Sequence, residues 1–141
     1  VEEALDSGAT LLCGGKKLSD TCYAPTVLLN PDDSAIVSRN EIFGPVVCVY
    51  AYREKSEAIA KANSLPYAFQ ASIYTNDLTD ALDTSNKLNA TAVMVNDHTA
   101  FRVDWMPFGG RDASGLGMGG IQYSMHEMTR EKMLVIKSPV L

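Results

Sequence analysis

The chain has 141 residues, 46% of them hydrophobic and 21% charged, with a formal net charge of −5. This is long enough to bury one real core, and the ordinary composition excludes a disordered or fibrous chain. Net acidity without any cluster of Lys and Arg argues against a nucleic-acid partner or an acidic membrane surface, and the longest apolar run free of Gly and Pro, VVCVYAY, falls far short of the roughly 20 residues of a membrane span.

The opening VEEALDSGATLL is acidic, has no basic n-region and lacks an initiating Met. No signal peptide is expected, and the chain reads as a piece of something longer. Residues 1 to 8 suit the tail of a helix that ends at Gly8, a favoured C-cap residue. TLLC and, after a Gly14-Gly15 turn, YAPTVLL read as short strands. The run from Val46 to Tyr52 is apolar and β-branched, which predicts a strand buried on both faces.

The period then changes. KSEAIAKAN places Ala58, Ile59 and Ala62 at helical spacing, and QASIYT reads as a strand. NDLTDALDTSNKL opens on Asn76 or Asp77 as an N-cap and spaces Leu78, Ala81, Leu82 and Leu88 for one buried helix face. TAVMVN predicts a further buried strand. Strand, helix, strand, helix, strand with short connections is the pattern of an α/β fold with a helix-covered parallel sheet. A glycine-rich loop, a short helix over Ile121 to Met128 and a closing strand KMLVIK complete the chain.

Three cysteines, Cys13, Cys22 and Cys48, show no C-x-x-C spacing, and their number is odd. No disulfide framework and no metal site is expected, and a reduced, cytoplasmic setting is. Cys48, within the apolar strand, reads as a core residue.

The loop GGRDASGLGMGG holds six of the ten glycines, and Gly115 to Gly120 match G-x-G-x-x-G. A dinucleotide fingerprint also needs a strand before it, a helix opening from it and an acid about 20 positions later. VDWMPFGG is not strand-like, and Val135 to Val140 contain no acid. The expectation is a tightly folded loop where backbones pass closely. NEIFGPVVCVY is a different case. It sets the carboxylate of Glu41 two residues before Phe43, and Gly-Pro then turns the chain into a strand. Loops at strand ends of α/β sheets commonly face ligands. Such a carboxylate can accept two ribose hydroxyls while the ring packs on a flat heterocycle; a solvated Glu and a core Phe are the other possibility.

Several segments together resemble the aldehyde dehydrogenase superfamily. EIFGPV is one of its specific marks. ANSLPYAFQASIYTND is similar to its A-N-x-x-x-Y-G-L-x-A-x-x-F-T segment, and MPFGGRDASGLGMGG with MTREKMLVIK to its closing run. The resemblance covers nearly the whole chain in the family's order. It implies the C-terminal third of such an enzyme: an α/β, doubly wound catalytic-domain portion over residues 1–130 and an oligomerisation strand over 131–141. The family's nucleophilic Cys and general-base Glu would both fall before Val1. No catalytic residue is therefore expected here, and the segment alone is expected to be inactive.

The family reaction runs through a cysteine thioester and passes a hydride to NAD or NADP. The resemblance assigns Glu41 to the nicotinamide ribose, Phe43 to the nicotinamide, and the cofactor's binding domain to a region outside this chain. NDHTAFRVDWMPFGG is similar to the branch acting on short hydroxy- or anion-bearing aldehydes, such as lactaldehyde. His98, Arg102 and Phe108 then become substrate residues, with His98 and Arg102 facing an anionic tail. The competing reading is an Arg102–Asp104 or Arg102–Asp97 pair and a solvated His98. Departures from the family are Arg111 in place of Lys after P-F-G-G, Met118-Gly119 in place of Arg-Glu and Ala68 in place of Gly. The implied partners are a small aldehyde and further copies of the chain. The alternative function is an inactive binding or assembly module that keeps only the fold.

Overall fold

A computed structural model describes residues 1–140, which divide into two units, one up to residue 58 and one from residue 59 onward. The first holds α1 (Glu2–Asp6), β1 (Thr10–Cys13), β2 (Lys17–Ser19), β3 (Cys22–Tyr23), β4 (Thr26–Leu29), α2 (Ile36–Arg39) and β5 (Val46–Val49). Helix α3 (Lys55–Ala62) spans the division. The second holds β6 (Tyr67–Ala68), β7 (Gln70–Ile73), α4 (Leu78–Lys87), β8 (Ala92–Val95), β9 (Arg111–Asp112) and α5 (Ile121–Glu127).

Helix α1 ends as its sequence predicts. Ser7 is the C-cap and Gly8 follows at φ 102°. The Gly8 N–H donates to Leu5 O at 3.0 Å and the Ala9 N–H to Ala4 O at 2.9 Å. This pair of bonds satisfies two of the helix's last carbonyls, and the left-handed turn that makes it favours Gly. Ala4 and Ala9 then meet Leu28 and Ala35 in the core of the first unit. Leu28 is fully buried, a burial that stabilises by about 1.5–3 kcal/mol. Glu3 reaches across to α2, where its carboxylate accepts the Ile36 N–H at 3.2 Å.

Strand β4 is central in the order β1-β4-β5, antiparallel to β1 and parallel to β5. Pro25, which lacks an N–H for a ladder, divides YAPTVLL into β3 and β4. The expected two-sided burial of the Val46 to Tyr52 run is not found. Strand β5 ends at Val49 and alternates half-buried with exposed residues, with Val47 58% exposed. It lies at a sheet edge and one of its faces is open. Cys48 is on the covered face and packs against the core as expected.

In the second unit β7, α4 and β8 form the predicted strand-helix-strand, with β7 and β8 parallel from Gln70↔Ala92 to Ile73↔Val95. The cap is Asp77, whose Oδ1 accepts the N–H groups of Thr79 at 2.7 Å and Asp80 at 3.2 Å. Such a cap contributes about 1 kcal/mol. The buried side of α4 carries Ala81 and Thr84. Leu78 and Leu82, predicted to be buried, are exposed: the contact row runs through small residues, and the larger leucines stand one position to its side. The fold is thus mixed α/β, with parallel pairs β4/β5 and β7/β8 in separate sheets.

The closing strand predicted at KMLVIK does not form within the chain. Residues 131–138 carry no ladder, and Met133, Leu134, Val135 and Ile136 are all exposed. A strand needs a neighbour for its N–H and C=O groups, and the described residues offer this segment none. Among the described residues no helix is long and apolar enough to cross a membrane.

Both parallel pairs end in the same way. Asn30 after β4 and Asn96 after β8 are left-handed, at φ 47° and 59°. Asn30 N–H donates to Val49 O at 2.7 Å, and its Oδ1 accepts the Ala51 N–H at 2.9 Å. Asn96 N–H donates to Ile73 O at 2.7 Å, and its Oδ1 accepts the Thr75 N–H at 2.9 Å. The side-chain amide continues the ladder while the backbone leaves it, which a left-handed Asn tolerates better than most residues. Asn96→Ala is expected to destabilise the second unit by about 1 kcal/mol more than Asn96→Gly, since both lose the clamp and only Ala pays the left-handed penalty. Equal losses in urea unfolding would remove the backbone part of this account.

Candidate functional site

The Glu41 turn follows α2 directly. Asn40, the α2 C-cap, is extended at φ −117° and ψ 148°. Two tight turns follow, with the Gly44 N–H donating to Ile42 O at 2.9 Å and the Val46 N–H to Gly44 O at 2.8 Å. They lead the chain into β5, and of residues 41–45 only Ile42 is half-buried. Glu41 is exposed and Phe43 is 94% exposed. Phe43 is therefore no core residue of this chain. Its ring and the Glu41 carboxylate are both available to a ligand.

Behind this turn, Cys48 directs its thiol toward Val37 O at 3.9 Å. Burial pushes this thiol up in pKa, against opposing effects of a hydrogen bond with Tyr50 and the N-terminal charge. A thiol held protonated is a poor nucleophile. Cys13 and Cys22 are exposed on β1 and β3. Among the described residues no three His, Cys, Asp or Glu side chains come together as a metal site.

The predicted substrate residues lie in the second unit, on the segment that Asn96 turns out of β8. His98 stays at the surface. Its Nε2 is 3.9 Å from Asp97 Oδ1, and its N–H donates to the same oxygen at 2.8 Å. Arg102 pairs with neither Asp97 nor Asp104 among the described residues. Its Cζ lies 4.3 Å above the centroid of the Phe108 ring, a cation–π stack. Phe108 in turn meets Phe69 edge to face, with ring centroids 5.0 Å apart at 80°. The structure thus brings Arg102 and Phe108 together and leaves His98 on its own acidic neighbour. Phe69 is the member that sequence reasoning missed; 39 positions separate it from Phe108, and no local pattern links them.

The glycine loop is a close-packed backbone turn. Phe108 and Gly119 exchange N–H···O bonds of 3.0 and 2.7 Å. A Cβ on Gly110 would stand 2.6 Å from Ser114 Cβ, and one on Gly109 would stand 2.7 Å from Gly117 O. The Ser114 hydroxyl accepts the Ala68 N–H at 3.0 Å, where β6 pairs β9. Helix α5 does open from Gly120, but VDWMPFGG before the loop forms no strand. Between loop and helix lies an open cleft of about 380 Å³, lined by Phe69, Phe108, Leu116, Met118, Ser124 and Glu127 among others.

The chain is 45% identical over 136 residues to aspartate-semialdehyde dehydrogenase 1 of Pseudomonas canavaninivorans, an alignment covering 96% of this chain and 29% of the relative. It is 40% identical to a lactaldehyde dehydrogenase of Methanococcus vannielii, with the same two coverages. Its structure superposes on the NADP complex of a glyceraldehyde-3-phosphate dehydrogenase from Methanocaldococcus jannaschii with a TM-score of 0.84 at 39% identity, covering 90% of this chain and 27% of that one. The chain thus spans well under a third of the length of these relatives. Residues 1–134 match the aldehyde dehydrogenase family, and with the exposed Glu41–Phe43 turn, the Arg102–Phe108 stack and the closed glycine loop all lying inside that match, the chain belongs to this family.

Proposed function

We propose that this chain supplies part of an enzyme that oxidises an aldehyde to the carboxylic acid with NAD or NADP. The observation that carries the reading is the Glu41–Phe43 turn: a carboxylate and an uncovered ring, two residues apart, on a backbone fixed by two short turns. The carboxylate can accept both hydroxyls of a ribose, and the ring offers an apolar face to a flat heterocycle. The residues present fit a nicotinamide nucleotide, and Glu41 and Phe43 would hold that end of it. When bound, the cofactor accepts the hydride that leaves the aldehyde carbon, and water supplies the acid's second oxygen.

The substrate side of the proposal rests on Arg102. A guanidinium stacked on an aromatic ring keeps its in-plane N–H groups for a planar acceptor. That suits an aldehyde with an anionic tail. Two of the relatives above are named for aspartate semialdehyde and glyceraldehyde 3-phosphate, substrates that carry a carboxylate and a phosphate. Phe108 forms the apolar floor under Arg102, and His98 is available at the same loop for a second hydrogen bond. Residues 1–130 are proposed as a portion of the catalytic domain and 131–141 as a strand that pairs with another copy.

The 141 residues alone are expected to turn over no aldehyde, since on this reading Cys13, Cys22 and Cys48 are not nucleophiles. Incubation with NAD, NADP and a panel of short aldehydes, followed by absorbance of the reduced cofactor, checks this. Turnover abolished by replacing any of the three would overturn the assignment.

In the complete enzyme Glu41→Gln should slow hydride transfer about tenfold to a hundredfold, the usual cost of a lost charge-assisted hydrogen bond, with little change in aldehyde binding. An unchanged single-turnover rate would remove Glu41 from the ribose.

Met133 to Ile136 are four consecutive apolar residues, all exposed within one copy. Such a segment pairs readily with another edge. Light scattering behind size exclusion should find an oligomer for the full chain and a smaller species for one ending at Arg130. A monomer in both cases would end the strand's proposed role.

A further inference from the structure

The Arg102–Phe108 stack is only as well placed as the Phe108 ring. Two constraints hold that ring. The backbone of Phe108 is locked by its two bonds to Gly119. That fixes where the side chain starts and leaves the ring's rotation open. The second constraint is Phe69, whose ring meets Phe108 nearly perpendicular at 5.0 Å. Edge-to-face contacts of this kind have a preferred geometry, because the positive edge of one ring faces the negative face of the other. Phe69 is itself anchored from a different part of the chain: its carbonyl accepts the Thr91 N–H at 2.7 Å, where β8 begins beside β7. A line of fixed groups therefore runs from the β7/β8 pair through Phe69 and Phe108 to the Arg102 guanidinium.

We infer that Phe69 is a positioning residue for Arg102 and so helps set the preference for anionic aldehydes; this rests on the proposed role of Arg102. Phe69 acts on the Phe108 ring, and the guanidinium, whose Cζ lies over that ring's face, takes its position from it. The guanidinium plane decides whether its paired N–H groups meet a planar anion two at a time or one at a time. Phe69 does not need to touch the substrate for this. Without it the guanidinium keeps its charge and loses its fixed orientation.

The test uses the complete enzyme with a carboxylate-bearing aldehyde and with propanal. Phe69→Leu should raise KM for the anionic substrate about three- to tenfold, the loss expected when one of two paired hydrogen bonds to the anion is weakened. It should leave kcat and all propanal constants unchanged. Phe69→Tyr keeps the ring and should restore the parent KM. In a variant that already carries Arg102→Lys, Phe69→Leu should have no further effect, because the planar group it orients is gone. If Arg102→Lys raises the anionic KM selectively and Phe69→Leu does not, the inference fails while the reading of Arg102 stands. If Arg102→Lys changes both substrates alike, the reading itself fails and the inference falls with it. Equal losses on both aldehydes in Phe69→Leu, not restored by Tyr, would mark Phe69 as a packing residue only.

Discussion

Two asparagines hold the ends of the two parallel strand pairs, and the loops that carry the candidate site begin from them. A parallel strand pair must hand its chain on at the strand end without leaving ladder groups unpaired. Asn30 and Asn96 do this by the same means: a left-handed backbone, an N–H to the neighbouring strand's last carbonyl, and an amide oxygen that takes the N–H two residues further on. The ladder is extended by a side chain while the main chain departs. From Asn96 the chain enters the segment with His98 and Arg102; from Asn30 it runs through α2 to Glu41. The His98–Arg102 segment thus starts from a strand end, and the Glu41 turn starts from the end of α2.

The loop ends are fixed as well. Beyond Arg102 the chain meets the Phe108–Gly119 bridge, and the close backbone approaches at Gly109 and Gly110 leave no room for a Cβ. Gly109, Gly110, Gly119 and Gly120 are therefore explained by close backbone approach, and Gly117 by its left-handed backbone at φ 77°. Beyond Phe43 two tight turns lead into β5, parallel to β4. An exposed functional side chain between two anchored points keeps its place at low entropic cost to the complex it forms.

Much of this was legible in the sequence. Local signals located the end of α1 at Gly8, a cap at Asn76 or Asp77 and the strand-helix-strand from Gln70 to Val95, because each depends on residues a few positions apart; the break at Pro25 within YAPTVLL emerged only in the structure. The EIF turn was legible for the same reason: carboxylate, aromatic and Gly-Pro lie in one short stretch. Burial was less legible. The Val46 to Tyr52 run has the composition of a strand covered on both faces, and within this chain β5 is covered on one, since composition records what a strand tolerates and burial depends on what packs there. Leu78 and Leu82 fit a helical stripe by spacing, yet α4 docks through Ala81 and Thr84. Hydrophobic spacing cannot tell two neighbouring rows of one helix apart.

The sequence by itself determined most of the helices and inner strands, the turn chemistry and the family, all of which rest on short-range pattern and residue identity, but not the closing segment, read as a strand and found without a ladder. Only the tertiary structure decided that Arg102 stacks on Phe108 in place of pairing with Asp97 or Asp104, and that Phe69 stands against the same ring. Three side chains from separate stretches meet there because Phe69 links β6, which pairs with β9 of the glycine loop, to β7, which pairs with β8. The choice between a stack and an ion pair was set by where the backbone placed an aromatic face, and that placement is a property of the whole unit.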